Sequence, residues 1–488
     1  MLIRSAEVAG ERLDVRCHGG RIEAIGRGLA PRNDEPCLDA AGGALIPGLH
    51  DHHLHFFALA AALESIDCGP PQVASADELA RALHAAPVRG GWLRGTGYFE
   101  SVAGPLDRAR LDALGPAIPL RIQHRSGVMW FLNSPAIALL GLEGEVADRP
   151  GAALPGIERD GAGRATGRLF RADAWLRARL PEGALPDLGA AARALARVGI
   201  TSFTDATPTN DRAQAEHFRA ARRDGRIPQR VRLMGDASLA ALVGSPEAEA
   251  ALAIDARKLL LDEPALPPFD TLVEAIVEAH AAQRGCAFHC VTRVEIHFAL
   301  AALEAAGASP RDRIEHASIA PPEAIEQIRR LGIRVVTQPN FAFERGDDYH
   351  SAVAADDLPH LYCLRAWLDA GVPLAAGTDA PYGSADPWLA IRAAVDRTTR
   401  SGAPIGSDQR LSPEEALSLF APERLDVHGP ASRTGDGTRI AIGQPADLCL
   451  LDAPWARVRG ALSSERVAAV FCGGRLVHSR WPGMASFT

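Results

Sequence analysis

The chain has 488 residues, 47% of them hydrophobic and 23% charged, and its formal net charge is −8. This composition is typical of a globular enzyme with one large domain and additions, and it argues against a nucleic-acid partner, which would need clustered positive charge. No apolar run is long enough to cross a bilayer. The first residues resemble a strand and not an export signal, and the cysteines form no CxxC pair. We therefore expect a cytoplasmic protein with no membrane partner.

Both ends of the chain carry short apolar runs separated by Gly-Gly and Pro turns, a pattern typical of small antiparallel strands. The N-terminal pattern extends to residue 44, and the C-terminal pattern occupies residues 443–451 and 467–477. Neither stretch contains a long helical period. We expect the two ends of the chain to pair with each other.

Between these ends, short apolar runs alternate with helical stretches rich in Ala, Leu and Arg, which indicates repeated βα units. The runs occupy residues 44–55, 199–205, 230–234, 257–262, 285–289, 313–316, 334–338 and 373–379. Eight parallel strands with intervening helices close into a barrel, and reactive groups collect at the carboxyl ends of its strands. We therefore predict an α/β fold, a (β/α)8 TIM barrel over residues 50–429, with an inserted cap region at about residues 70–190.

The first of these runs ends in the motif Asp51-x-His53-x-His55. Alternate side chains of a strand share a face, so all three side chains are expected to point the same way. Two imidazoles two residues apart can chelate one metal ion. A histidine-rich surface strand is the weaker alternative, because the motif ends a run that looks buried.

The fourth run contains Lys258, the only lysine among 52 lysine and arginine residues. Arginine can replace lysine wherever a surface cation is sufficient, but only lysine can lose its proton when it is buried. The simpler alternative is a lysine that survives by chance on the surface.

Three further candidates lie near the ends of later runs: His289 on the fifth, His316 on the sixth and Asp379 on the eighth. Each histidine alone could be a hydrogen-bonded core residue, and Asp379 alone could cap the following helix. Their shared location on barrel strands favours one common metal site.

This ordered set of motifs resembles the amidohydrolase superfamily, and within it the N-substituted formamide deformylase-like (YtcJ-like) branch. The resemblance spans nearly the whole chain. Besides the motifs above, it includes residues 90–97, 133–134, 166–167, 199–201, 313–316, 338–339, 377–381 and 446–448.

The resemblance implies that both chain ends form a β-sandwich domain of residues 1–49 and 430–488. It also implies a metal-ligand set of six side chains: His53, His55, Lys258, His289, His316 and Asp379. The first two histidines would bind one divalent metal and the last two a second, while the lysine, carboxylated to a carbamate, would bridge them. Zinc is the default for such a site, as one or two ions, although other divalent metals fit the same ligands.

The function that we predict is hydrolysis of an amide or cyclic amide C–N bond, other than a peptide bond, in a small-molecule substrate. Metal-activated water would be the nucleophile, and Asp379 would accept its proton and deliver it to the leaving group. A mononuclear-metal deaminase is an alternative, against which Lys258 argues. A catalytically silent metal-binding or regulatory protein is another, against which the complete ligand set argues. A homodimer is an open alternative for the assembly.

Four further residues are candidates for supporting roles. Arg171 and Arg293 stand where the branch usually carries acids, and Arg125 lies in the inserted region. We expect one or more of them to bind a substrate carboxylate, unless they form solvent-facing ion pairs. Asp51 is expected either to orient a ligand histidine or to make structural hydrogen bonds at the strand end.

Overall fold

The computed structural model describes residues 1–142, 156–180, 185–244, 252–422 and 440–481. The chain divides into two compact units, Met1–Phe56 with Leu188–Thr488 and Phe57–Asp187. Within the described ranges, no helix combines the length and the apolar character needed to cross a membrane.

The first strands are short and mostly antiparallel, as the turn-rich N-terminal sequence predicts. They are β1 Leu2–Val8, β2 Glu11–His18, β3 Arg21–Gly26, β4 Cys37–Asp39, β5 Leu45–Pro47 and β6 Leu49–Leu54. The first four form one sheet in the order β3-β2-β1-β4, in which β4 alone pairs in parallel.

The unit Phe57–Asp187 has its own six-stranded sheet. Its strands are β7 Ile66–Asp67, β8 Leu93–Tyr98, β9 Leu120–His124, β10 Met129–Leu132, β11 Ile157–Arg159 and β12 Ala165–Phe170, in the order β11-β12-β10-β9-β8-β7. Its helices, the first of which begins one residue before the unit, are α1 Phe56–Leu63, α2 Ala76–Ala85, α3 Glu100–Ala103, α4 Arg108–Leu114, α5 Ser134–Leu139 and α6 Asp173–Arg177. Two separate apolar clusters pack in this unit, one containing Leu120 and Ile122 and the other Trp130 and Leu132.

The larger unit is built on an eight-stranded parallel sheet. After β6 its strands are β13 Ile200–Asp205, β14 Arg230–Gly235, β15 Ala253–Leu260, β16 Cys286–Cys290, β17 Arg313–His316, β18 Arg334–Thr337 and β19 Leu374–Ala376. Just beyond β19, Asp379 N donates to His53 O and His55 N donates to Ala380 O, both at 2.8 Å. These bonds bring the two edge strands together, so the sheet is nearly closed, and the predicted α/β barrel is confirmed.

Helices connect the barrel strands as the alternating sequence pattern predicts. The main ones are α7 Leu188–Arg197, α8 Arg212–Arg223, α9 Phe269–Ala281, α10 Arg293–Ala306, α11 Pro322–Leu331, α12 Asn340–Glu344, α13 Gly346–Ala352, α14 Leu364–Asp369, α15 Pro387–Asp396 and α16 Pro413–Ser418.

The predicted first run, residues 44–55, is two strands and not one. Leu45–Pro47 pairs with a C-terminal strand, whereas Leu49–Leu54 enters the barrel. Gly48 separates them, and a Cβ on Gly48 would lie 2.2 Å from the Thr201 side chain. Only glycine leaves room for this close approach.

The C-terminal strands complete a second four-stranded sheet. They are β20 Leu448–Leu451, β21 Val467–Cys472 and β22 Arg475–Ser479, followed in the sheet order by β5, with a short helix α17 Trp455–Val458 between the first two. One apolar cluster contains residues of both terminal sheets, including Ile3, Val15, Leu450 and Phe471. The two chain ends therefore pack together, as expected. Residues 430–439 and 482–488 of the predicted sandwich domain lie outside the described residues, so its bounds stay a prediction.

Candidate metal centre

The two histidines of the first barrel strand lie at its carboxyl end. β6 is buried along its whole length, and His55 follows it directly. The ring centroids of His53 and His55 are 5.4 Å apart, as expected for side chains that share one face of a strand.

The other two predicted histidines join this pair. His289 lies in β16 and His316 ends β17, and their ring centroids are 4.4 Å apart. The ring of His316 is also 4.8 Å from that of His53, so contacts between imidazoles run through all four residues. Strands distant in sequence therefore bring these rings together inside one barrel.

Asp379 reaches the same place from the segment after β19. Its Oδ1 atom is 3.5 Å from His53 Nε2 and 3.2 Å from His55 Nε2. Asp379 and His316 both have left-handed backbones, with φ of 57° and 67°. This conformation is uncommon for residues other than glycine and is often found at functional sites.

Lys258 lies toward the carboxyl end of β15 and is 5% exposed, so the alternative of a surface lysine does not hold. Burial lowers the pKa of its amine from 10.5 to about 8, against the opposing effect of the Glu315 and Asp379 charges. With a pKa of about 8, roughly a tenth of the amine is neutral at pH 7, far more than for an exposed lysine.

Three buried atoms of the predicted ligands form no hydrogen bond with the part of the chain that the structure describes: His53 Nε2, Lys258 Nζ and Asp379 Oδ1. Unpaired buried polar atoms cost free energy, and several of them on predicted ligands are typical of a site that binds an ion. Ligand atoms of His53, His55 and Asp379 all lie within 4.8 Å of one another. Nitrogen and oxygen donors at this spacing fit a divalent metal such as zinc.

The imidazoles are held in orientations that suit metal binding. His53 Nδ1 bonds Glu315 Oε2, His55 Nδ1 lies 2.9 Å from Thr207 Oγ1, and His316 Nδ1 lies 2.7 Å from Gln338 Oε1. With Nδ1 engaged, Nε2 of each ring is the nitrogen left to bind an ion. Burial also lowers the pKa of His53 and His316 well below the usual value, which favours their neutral, metal-binding form.

Sequence reasoning missed these three partners of the histidines. Glu315 was noted only within its motif, although it is fully buried and also forms an ion pair with Arg313. Burial alone would raise the pKa of Glu315. The charges of Arg313 and Lys258 act in the opposite direction and outweigh burial, so the pKa is lowered. Gln338 lies in the predicted run 334–338 and in the motif 338–339, and its position directly after a barrel strand could have identified its role.

The described hydrogen bonds of Asp51 come from two backbone N–H groups and from the Thr378 hydroxyl. Its carboxylate accepts hydrogen bonds from His53 N at 3.1 Å, Thr378 N at 3.1 Å and Thr378 Oγ1 at 2.5 Å. Burial raises its pKa to about 7. Asp51 therefore ties the end of the first barrel strand to the segment that carries Asp379, in line with the structural alternative.

The three arginines proposed for substrate binding have different surroundings. Arg293 forms an ion pair with Asp357, and its side chain is 37% exposed. The guanidinium carbon of Arg125 lies 3.2 Å from the ring centroid of Phe99. Arg171 is exposed, and its backbone φ is 48°. Arg125 and Arg171 belong to the unit Phe57–Asp187. Binding of substrate by any of these arginines stays a prediction.

Comparisons with known proteins agree on one family. Residues 37–478 match the model described as "Amidohydrolase family". The N-substituted formamide deformylase of Arthrobacter pascens is 28% identical, over 95% of this chain and 94% of its own.

Solved structures of low sequence identity share the fold. An uncharacterized metal-dependent hydrolase from Pyrococcus horikoshii OT3 is 19% identical, with a TM-score of 0.72 over 95% of this chain and 99% of its own. The N-isopropylammelide isopropylaminohydrolase of Burkholderia multivorans ATCC 17616 is 18% identical, with a TM-score of 0.54 over 97% of each chain.

Proposed function

The chain belongs to the amidohydrolase family and is a hydrolase of carbon–nitrogen bonds, and from this premise we propose that it cleaves a non-peptide amide or cyclic amide of a small molecule with metal-activated water. The membership confirms the resemblance inferred from the motifs. The relative from Arthrobacter pascens makes N-substituted formamides the first substrates to test.

The observation that carries this proposal is that three buried atoms of the predicted ligands, His53 Nε2, Lys258 Nζ and Asp379 Oδ1, form no hydrogen bond with the described residues. We assign His53, His55 and Asp379 to one metal ion, probed first as zinc, and His289 with His316 to a second. A bound divalent cation would lower the pKa of water and polarise the substrate carbonyl.

Asp379 is the residue that we assign to proton transfer. Its Oδ1 is buried, 3.5 Å from His53 Nε2 and 3.2 Å from His55 Nε2, and from this position it would take a proton from the attacking water. A carboxylate held in this way can then deliver the proton to the leaving nitrogen. The contacts of Asp379 with His53 and His55 fix the position of the carboxylate.

Lys258 is assigned to the bridging position between the two ions. A neutral amine attacks carbon dioxide, so that a bond forms between Nζ and the carbon and one proton is released. The burial that lowers the pKa of Lys258 favours this neutral form, which arginine could not provide. The resulting carbamate anion would be stabilised by two cations.

The two alternatives have less support. A mononuclear deaminase has no use for a lysine, yet Lys258 is buried beside Asp379 and Glu315. A catalytically silent protein has no need for a set of ligands in which three histidines are individually oriented by Glu315, Thr207 and Gln338.

One experiment tests the proposal against both alternatives. The metal content of the purified protein is measured, and a panel of N-substituted formamides, N-acyl amino acids, cyclic amides and amine-bearing heterocycles is assayed before and after chelation. We expect amide cleavage that chelation abolishes and added zinc restores. Ammonia release from an amine-bearing ring, without amide cleavage, would assign a deaminase. A metal-loaded protein that is inactive on the whole panel would assign a silent protein.

A further inference from the structure

An arginine and two tryptophans lie together in the sheet of the unit Phe57–Asp187. The guanidinium carbon of Arg121, on β9, is 5.7 Å from the Trp92 ring centroid and 5.5 Å from that of Trp130. Arg94 lies opposite Arg121 on the neighbouring strand β8. Its guanidinium carbon is 5.6 Å from the Trp130 ring centroid. Two guanidinium groups therefore lie near the same indole ring, that of Trp130.

Arg121 lacks a counterion in the part of the chain that the structure describes. Its Nε is buried without a hydrogen-bond partner, and none of the described carboxylates forms an ion pair with it. Burial and the nearby charge of Arg94 both lower the pKa of Arg121, to about 10. A largely buried cation without a partner carries a desolvation cost that cation–π contacts offset only in part.

The neighbouring indoles add unpaired donors. Trp92 is 7% exposed, and its Nε1 is buried with no hydrogen-bond partner among the described residues. Trp130, by contrast, donates from Nε1 to Asp173 Oδ1 at 2.8 Å. The unsatisfied atoms of Arg121 and Trp92 are both N–H donors, so a ligand that satisfies them must supply acceptors and negative charge.

We propose that this cluster of Trp92, Arg121 and Trp130 binds the carboxylate of a small organic acid with a planar apolar body. A carboxylate matches the two-point geometry of the Nε edge of a guanidinium, and indole rings favour a planar apolar group beside it. The three residues are not among the candidate metal ligands, so this site does not depend on the proposed hydrolase activity.

Benzoate and its uncharged isostere benzamide test the proposal on the metal-loaded wild-type protein. Calorimetric titration and thermal unfolding are measured at constant ionic strength, with sodium chloride replacing benzoate in the reference. We expect saturable binding and a rise in Tm with benzoate but not with benzamide. An equal response to both compounds, or no response to either, would overturn the proposal.

Two variants locate the binding. Arg121→Met removes the charge and keeps an apolar side chain of similar length, and Arg81→Met changes an exposed arginine of the same unit on α2. We expect Arg121→Met to weaken benzoate binding by at least about tenfold, the lower limit for losing a hydrogen bond to a charged group. Arg81→Met should bind as the wild type does.

The stability of the unliganded variant distinguishes a binding residue from a packing residue. Because Arg121→Met removes an unpaired buried cation, its Tm without benzoate should be no lower than that of the wild type. Benzoate binding that survives in Arg121→Met, as binding at the metal centre would, overturns the proposal. If Arg121→Met does not fold, Arg121→Lys keeps the charge without the planar fork, and it should also bind benzoate more weakly.

Discussion

The imidazole of His316 donates a hydrogen bond from Nδ1 to Gln338 Oε1 at 2.7 Å. Because that oxygen can only accept, the proton of the neutral ring lies on Nδ1 and the lone pair lies on Nε2. The contact therefore prepares His316 to bind a cation through Nε2.

Replacing Gln338 with leucine should weaken metal binding without removing a proposed ligand. The expected loss is about 10- to 100-fold in zinc affinity, the usual effect of removing a group that orients a ligand histidine. Competition with a zinc chelator measures it. The matched control Gln327→Leu lies on α11, away from the barrel interior, and should bind zinc with wild-type affinity. Equal affinities of both variants would contradict the orienting role.

Replacing Asp379 with asparagine should separate proton transfer from assembly of the site. The amide is nearly isosteric but cannot accept a proton, so kcat is expected to fall by about 100-fold or more. Metal content and kcat of Asp379→Asn are measured together on the best substrate of the amide panel. The control Asp369→Asn changes an exposed carboxylate on α14 and should keep full turnover. A metal-loaded Asp379→Asn with unchanged kcat refutes the assigned role.

Most of the candidate site could be predicted because its signals are local in sequence. The alternation of a strand places His53 and His55 together, and composition alone singles out Lys258. His289 and His316 are unremarkable individually and became candidates only through their positions on predicted barrel strands.

What the sequence could not predict depends on backbone details and on distant partners. Glu315 and His316 are adjacent, so simple alternation would put them on opposite faces, yet both contact His53. His316 has a left-handed backbone, with a φ of 67°. Because this conformation is usually signalled by glycine, the sequence does not predict it at a histidine. The ion pair of Arg293 depends on Asp357, which is 64 residues away along the chain.

A pH-dependent contribution to stability is expected from the N-terminal sheet. The Arg16 guanidinium lowers the pKa of Glu35 to about 2, and the Glu35 side chain is only 7% exposed. A carboxyl whose pKa is lower in the folded state stabilises the protein above its unfolded pKa of about 4.3, and this contribution disappears as the pH falls toward 2.

Glu35→Gln should therefore be less stable than the wild type at pH 7, by about 1.5–3 kcal/mol, and the difference should shrink below pH 4. Urea unfolding at a series of pH values measures it. Glu11→Gln is the control, because Glu11 and its partner Arg27 are both mostly exposed and their pair should contribute little. A difference that stays constant down to pH 2 would show that Glu35 acts through packing and not through its charge.

The carbamate at Lys258 can be tested with little ambiguity because the chain has no other lysine. Protein reconstituted with zinc in ¹³C-bicarbonate should give a carbamate resonance that is absent from Lys258→Met, which leaves only the N-terminal amine as another site for the label. Bicarbonate should also speed recovery of activity in the chelated wild type, because the anion must form before two cations can be bridged. Lys258→Arg keeps a positive charge but cannot form a carbamate, so it should bind less zinc and lack activity. A fully active Lys258→Arg, or a wild type without the carbamate signal, would leave the lysine as an ordinary buried amine and remove the bridge from the mechanism.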